Sequence, residues 1–261
     1  MKKTLFLLPI AILALAGCSG NGGGTNPEPT PGPTPTPTPS EPEAVVIPTV
    51  TDCDLKTAYD AAAALAKGGV TTDAYTFNGT VVAKSGNSWF VQNGYSGMYV
   101  YNKALDGLAV GKTVSVTSTL QNYSGCLETK TISAASITGE ATPEASIKVC
   151  GAGQLAQLRQ NIRVSVTLKV TSLSGEWSAS NSPFLDGKAL NNGNEVEDVK
   201  IKLDKWGFAA CDESTKTLIN ALTEGDVVTI SGLVTTAYDK TSGSPVSNQL
   251  MAGETITAVQ G

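Results

Sequence analysis

The sequence predicts a mostly β protein made of two similar halves, held at the end of a long unstructured tether. Three observations lead there. The chain is rich in Val, Thr, Ser and Gly and only 16% charged, a usage that favours strands and turns over helices. Short apolar runs alternate with a period of two between Gly-containing breaks, the pattern of hairpins with one buried face. The order of these runs in the first half recurs in the second, and 261 residues leave room for two domains of roughly 100 residues each.

The first residues stand apart from the fold. Lys2 and Lys3 precede an apolar run from Leu5 to Ala16, the layout of a secretory signal peptide over 1–17. The run is too short to cross a membrane, which takes about 20 apolar residues. It ends in Leu15-Ala16-Gly17-Cys18, which resembles the lipobox of bacterial lipoproteins. That resemblance implies cleavage before Cys18 and acylation of this cysteine, palmitate included. More than one acyl chain is enough for stable attachment without a membrane span. Ser19 stands where an Asp would signal retention at the inner membrane, so the resemblance points to the outer membrane. Loss of Lys2 and Lys3 with the leader takes the net charge from −5 to −7, a poor balance for contacting phosphate backbones.

Residues 18–50 read as a lipidated cysteine and a Gly/Pro/Thr-rich linker. Eight prolines fall between Ser19 and Ala44 with almost no large apolar side chain, so this stretch cannot bury a core and is predicted to be disordered or polyproline II. At about 3.1 Å per residue its 26 residues reach roughly 80 Å from the lipid.

The first domain is expected over 51–142. Asp52 or Asp54 can cap a helix from Leu55 to Lys67, stopped by Gly68-Gly69. A strand follows over Tyr75–Lys84. Trp89 to Asn102 then reads as a hairpin, with Trp89, Val91, Met98 and Val100 on one face and Phe90, Gln92, Tyr99 and Tyr101 on the other. Lys103–Val110 is a short helical or turn segment. Thr113–Leu120 alternates as a fourth strand, Gln121–Cys126 is a turn, and Leu127–Thr138 is the fifth strand.

The second domain, over 143–261, repeats the order. A short helix is predicted over Cys150–Gln160, then a strand over Arg163–Thr171 with Val164, Val166, Leu168 and Val170 inward. Gly175–Asn194 is looser, and Val199, Ile201 and Leu203 mark a third strand. A helix spans Asp212–Leu222. Gly225–Tyr238 aligns with Gly111–Tyr123, and Glu254–Val259 corresponds to Thr131–Thr138, which indicates a duplication with its boundary near Thr142-Pro143.

Five strands with a connector between the third and fourth, and a Gly-x-Val-x-Val run opening the fourth, resemble the OB-fold, a small Greek-key barrel. Phe90–Tyr101 and Gly111–Val116 are similar to the OB-type domains found in exported bacterial lipoproteins and beside secreted nuclease modules. The resemblance implies two tandem OB-fold-like five-stranded barrels with short helices. It also implies a ligand face on strands two and three, which maps onto Phe90, Gln92, Tyr99 and Tyr101, with Tyr123 from the later turn. Aromatic planes stack on sugars or bases, so a glycan, a protein or an oligonucleotide is an open ligand class. The same rings would equally serve to cover a neighbouring domain.

Four further cysteines, Cys53, Cys126, Cys150 and Cys211, are expected as disulfides in an exported chain; they permit three pairings, of which 53 with 126 and 150 with 211, one bridge per domain, is favoured. With no histidine and no Cys-x-x-Cys pair, neither a metal site nor a cofactor site is expected. Triads and the commonest general base are missing too. Glu195, Glu197 and Asp198, or Asp212 and Glu213, have the spacing of a loop and a helix cap, not of an acid/base pair. Gly151-Ala-Gly153 lacks a preceding strand and a following lysine. Lys200, Lys202, Lys205 and Trp206 make a basic strip interrupted by acids. No catalytic constellation emerges. The expected function is non-catalytic binding by an anchored lipoprotein, with a binding subunit of an extracellular nuclease or polysaccharide-degrading system, or a structural envelope protein, as alternatives.

Overall fold

The computed structural model describes residues 41, 44, 46–149, 154–236 and 249–261; the expected leader, Cys18, most of the expected linker and Cys150 lie outside them. The first half opens with helix α1 (Asp54–Ala63), followed by β1 (Tyr75–Ser85), β2 (Ser88–Asn93), β3 (Ser96–Val100), β4 (Lys112–Tyr123) and β5 (Cys126–Glu140). The strands close into a barrel in the order β1-β2-β3-β5-β4. The expected hairpin forms in register, Trp89 opposite Val100 and Val91 opposite Met98, and these four side chains are buried in the barrel with Phe77, Val114, Val116 and Leu120. Burying each such side chain contributes about 1.5–3 kcal/mol.

Helix α1 differs from expectation at both ends. Its N-cap is Cys53, whose Sγ accepts the Lys56 N–H at 3.4 Å, and it ends at Ala63 instead of reaching Lys67. Its buried face, Leu55, Ala58, Tyr59 and Ala62, packs on β1, β3, β4 and β5. The segment between β3 and β4 contains turns and no helix, so the helix that packs on this barrel comes from ahead of β1. A bulge between Val81 and Ala83 lets β1 bury consecutive residues. Val81 faces the barrel core, whereas Val82 and Ala83 face the second half.

The second half contains β6 (Ile147–Val149), α2 (Gln154–Gln157), β7 (Arg163–Leu173), β8 (Phe184–Asn191), β9 (Asn194–Leu203), α3 (Lys205–Phe208), α4 (Glu213–Ala221), β10 (Val227–Thr236), β11 (Gln249–Ala252) and β12 (Thr257–Gln260). The sheet order β12-β10-β11-β9-β8-β7-β6, with β10 also paired to β7, closes β7-β8-β9-β11-β10 into a second ring with the order of the first. Each half is an OB-fold barrel.

Three details depart from the sequence reading here. The stretch expected to be loose contains β8, which crosses β7 closely: a Cβ on Gly187 would lie 2.7 Å from the Lys169 carbonyl oxygen. The strand that closes the barrel is β11, not the later Glu254–Val259 segment; β11 and β12 share between them the pairing that β5 makes alone with β4. The helix expected over 150–160 is described only as α2, Gln154–Gln157.

Cys53, Cys126 and Cys211 are free thiols, which overturns the expected bridges. Cys53 is occupied in capping α1, while Cys126 opens β5 on the opposite side of a hairpin turn from Tyr123. Cys211 is buried with its Sγ 3.7 Å from the Ile256 carbonyl oxygen, and Cys150 lies outside the described residues.

The barrels meet along a dense junction within one compact unit, Pro39–Gly261. Arg159 is its hub: Nη2 reaches Asp60 at 3.0 Å, Nη1 reaches Ser96 Oγ at 3.2 Å, and the guanidinium lies 4.4 Å above the Tyr59 ring. Gln160 donates to the Gly125 carbonyl, and the buried Ser85 hydroxyl donates to Asp204. Backbone contact is equally close, since a Cβ on Gly97 would fall 2.1 Å from the Asn161 carbonyl oxygen.

Candidate ligand groove

Pairing on the outer wall of the first barrel builds the site. Phe90 on β2 sits directly opposite Tyr99 on β3, and their rings stack with centroids 4.6 Å apart. Tyr101 continues the row, 6.1 Å from Tyr99 and tilted by 54°. Phe90 is only 2% exposed because it is roofed by Val234 and Met251 of the second barrel together with Val82 and Ala83. Tyr101 and Tyr123 remain about half exposed.

These four rings line a groove of about 530 Å3 that continues onto the second barrel, where β9 supplies Lys202, β10 supplies Thr236 and β11 supplies Met251. The rest of its polar lining comes from the β4–β5 hairpin: Gln121, Glu128, Thr129 and Lys130, with Cys126 beside them. Glu128 stands across the β3–β5 ladder from Tyr99 and across the β4–β5 ladder from Gln121. The Gln121 carboxamide donates to the Glu128 carboxylate, and the Tyr101 N–H donates to Thr129 Oγ1 at 3.1 Å.

Burial governs the electrostatics. Glu128 is 4% exposed, and that desolvation pushes its carboxyl up to about 7 against the opposing pull of the Gln121 hydrogen bond and of Lys130. Desolvation also raises the Tyr99 hydroxyl and the Cys126 thiol well above their usual ranges. Near neutral pH the floor therefore holds a carboxyl shifted toward its protonated form and a thiol that keeps its proton.

Of the residues expected on the ligand face, Phe90, Tyr99, Tyr101 and Tyr123 come together in the groove, and Gln92 does not. Gln92 is 2% exposed and belongs to the barrel junction, where its Oε1 accepts the Arg163 N–H at 2.8 Å and its Nε2 donates to the Gly94 carbonyl. Alternation along one strand could not reveal that a second barrel covers one end of the face. Sequence reasoning also missed Gln121, Cys126, Glu128 and Thr129 as lining residues. The one available signal was the hairpin register that sets Gln121 opposite Glu128. Thr236 and Met251 gave none.

The other charged clusters are structural. Glu195 pairs with Lys169 at 2.8 Å, Asp198 with Lys188 at 2.6 Å, and Glu197 accepts the Gln154 N–H. Asp212 caps α4 by accepting the Thr215 N–H at 2.8 Å. In the basic strip Lys200 pairs with Asp186 and Lys205 lies over the Trp206 ring, which leaves Lys202 to the groove. Among the described residues no group of three or more His, Cys, Asp or Glu side chains could hold a metal ion, and no helix is long and apolar enough to cross a membrane.

The chain matches no protein-family model and no curated protein. Solved structures similar to it include the tetrameric p202 HIN2, at 12% identity and TM-score 0.33, covering 75% of this chain and 95% of that one. Fission yeast Pot1 with ssDNA is similar at 12% identity and TM-score 0.31, covering 79% and 93%. A murine DNA binding protein bound with ds DNA is similar at 12% identity and TM-score 0.32, covering 71% and 97%. The barrel assignment rests on strand order and register within the chain itself.

Proposed function

We propose that this chain is a non-catalytic binding protein, anchored to the bacterial outer membrane through acylated Cys18 and presenting the groove between its two barrels to a ligand. The observation that carries the reading is the composition of the groove. Two half-exposed tyrosines and a stacked Phe90–Tyr99 pair face a buried carboxyl, an amide and a hydroxyl across a cavity to which both barrels contribute. Ligand sites are typically concave, largely aromatic and apolar, and orient their ligand with a few converging polar groups. The anchor is supported by the Leu15-Ala16-Gly17-Cys18 sequence behind a basic and apolar leader, and the proline-rich stretch after it supplies the stand-off.

Two measurements test the reading separately. Metabolic labelling with palmitate should mark the chain and be lost in Cys18→Ala. In the purified protein, ligand binding should be lost in Tyr101→Ala while the melting temperature stays within about 2 °C of the parent, because the ring is 55% exposed and surface substitutions alter stability little. Binding that survives this change would remove the groove from the account.

A further inference from the structure

Resting on the assignment of the groove as the ligand site, we infer that its ligand is an uncharged carbohydrate chain and not a nucleic acid. The floor mixes hydrogen-bond donors and acceptors, a pairing that suits hydroxyl groups. An ionised carboxylate only accepts hydrogen bonds, while the Gln121 amide spends one of its two N–H donors on Glu128, which leaves one N–H and the amide oxygen to a ligand. Thr129 Oγ1 accepts from the Tyr101 N–H and keeps its own proton and a second lone pair for a ligand.

A phosphodiester carries only acceptors and negative charge, so it could use the donors of this floor but none of its acceptors, and beside an ionised Glu128 it would meet like charge. A sugar hydroxyl both donates and accepts. It can donate to Glu128 and Gln121 and accept from Thr129, Lys130 or Lys202. When Glu128 holds its proton, the same hydroxyls can accept from it, so the match survives either protonation state.

Charge outside the floor points the same way. Of the lysines along the basic strip only Lys202 lines the groove, with Lys130 facing it from the first barrel; Lys200 is tied to Asp186 at 3.2 Å and Lys205 to Trp206. Two cations cannot track a polyanion against a mature chain of net charge −7, since nucleic-acid affinity comes mainly from phosphate neutralisation. The half-exposed faces of Tyr101 and Tyr123 suit the C–H faces of pyranose rings, whose stacking needs no charge. The cavity of about 530 Å3 falls within the usual range for ligand sites.

The test presents the full-length protein in detergent to an array of neutral glycans from plant, bacterial and animal sources, and in parallel to single-stranded dT12, at 50 and 300 mM NaCl. The expected result is retention of at least one neutral glycan, with an affinity that changes less than twofold between the two salt concentrations. It should fall at least tenfold in Tyr101→Ala and in Glu128→Ala. Binding of dT12 without any glycan, weakening about tenfold or more over that salt range as neutralisation of two phosphates requires, would overturn the carbohydrate assignment and leave the groove standing as a ligand site. Glycan binding unchanged in both variants, or no binding to either probe, would overturn the groove as well.

Discussion

Glu128→Gln keeps the size of the side chain and the hydrogen bond from Gln121 while removing the group that must lose a proton. In the folded chain burial raises this carboxyl from an ordinary value near 4.5 to about 7, so the native state holds the proton more tightly than the unfolded state. Folding consequently takes up a proton between pH 4.5 and 7, and the parent loses stability as pH rises through that window. Above pH 7 the full loss is present: a gap of about 2.5 pH units at 1.36 kcal/mol per unit is about 3 kcal/mol, an upper figure since water can relax around the carboxylate. Below pH 4.5 Glu128 is protonated in both states and the gap closes. The glutamine variant should therefore be more stable than the parent at pH 8 by up to about 3 kcal/mol, which for a folded unit of this size raises the melting temperature by roughly 6–12 °C. At pH 4 the two should melt together. Urea titrations at pH 4, 5.5, 7 and 8, followed by the fluorescence of the buried Trp89 and Trp177, measure the difference in both barrels. A variant no more stable than the parent at pH 8, or a gap of the same size at pH 4, would refute the burial argument and with it the raised carboxyl on the floor of the groove.

Thiol chemistry gives a second check. Burial pushes Cys211 up to about 11 and Cys126 higher still, so at pH 8 both should react slowly with a thiol reagent until the chain is unfolded in denaturant, with the half-buried Cys53 modified first. Rapid modification of Cys126 in the native protein would contradict its burial. Asp212→Ala removes the cap of α4, and because hydrogen bonds from Ser214 and Thr215 hold this carboxyl down at about 2, its stabilising effect is present above its ordinary pKa near 3.8 and fades as pH falls toward 2. The melting temperature of the variant should lie below that of the parent at pH 7 and converge with it at pH 2. Gly97→Ala drives a methyl group to within 2.1 Å of the Asn161 carbonyl oxygen, backbone that cannot yield cheaply. A loss of about 1–3 kcal/mol, or a larger radius of gyration in solution scattering as the barrels part, is expected, whereas an unchanged protein would mean that the barrels do not dock through Gly97.

The parts of the fold written in the sequence are those set by local alternation. Trp89, Val91, Met98 and Val100 share a face because successive strand residues point to opposite sides, and nothing elsewhere in the chain competes with that. Strand β8 was missed for the converse reason: its Gly187 is dictated by the neighbouring β7 backbone, a tertiary contact that leaves a glycine looking like a loop signal. The closing strand was misplaced because β11 and β12 divide a role that one strand fills in the first barrel. The aromatic wall was legible as the outer side of a hairpin, but Gln92 on the same side was not separable from it. Only the docking of Arg163 against β2 tells a junction residue from a groove residue. The disulfides failed because an even count of cysteines says nothing about the distance between them; Cys53 serves as a helix cap and Cys126 as groove wall.

Two barrels of the same strand order have two corresponding outer walls, and the cross-strand pairs explain why only one carries a stacked aromatic face. On the first barrel the outer β2–β3 wall carries Phe90 against Tyr99, groups that cannot satisfy one another electrostatically and so present apolar surface to whatever lies above. On the second barrel the corresponding β8–β9 ladder sets Asp186 opposite Lys200 and Lys188 opposite Asp198, and these close as ion pairs at 3.2 and 2.6 Å. Exposed pairs of this kind contribute only about 0–1 kcal/mol each, so their main consequence is that the face is already paired and has no apolar ring to offer a ligand; Phe184, the one ring on that ladder, lies under Lys200. The second barrel instead lends Met251, Thr236 and Lys202 to the wall of the first. It roofs Phe90 at one end of an aromatic face that a lone barrel would leave open to water, and the same groove holds Glu128, whose burial raises its carboxyl toward neutrality.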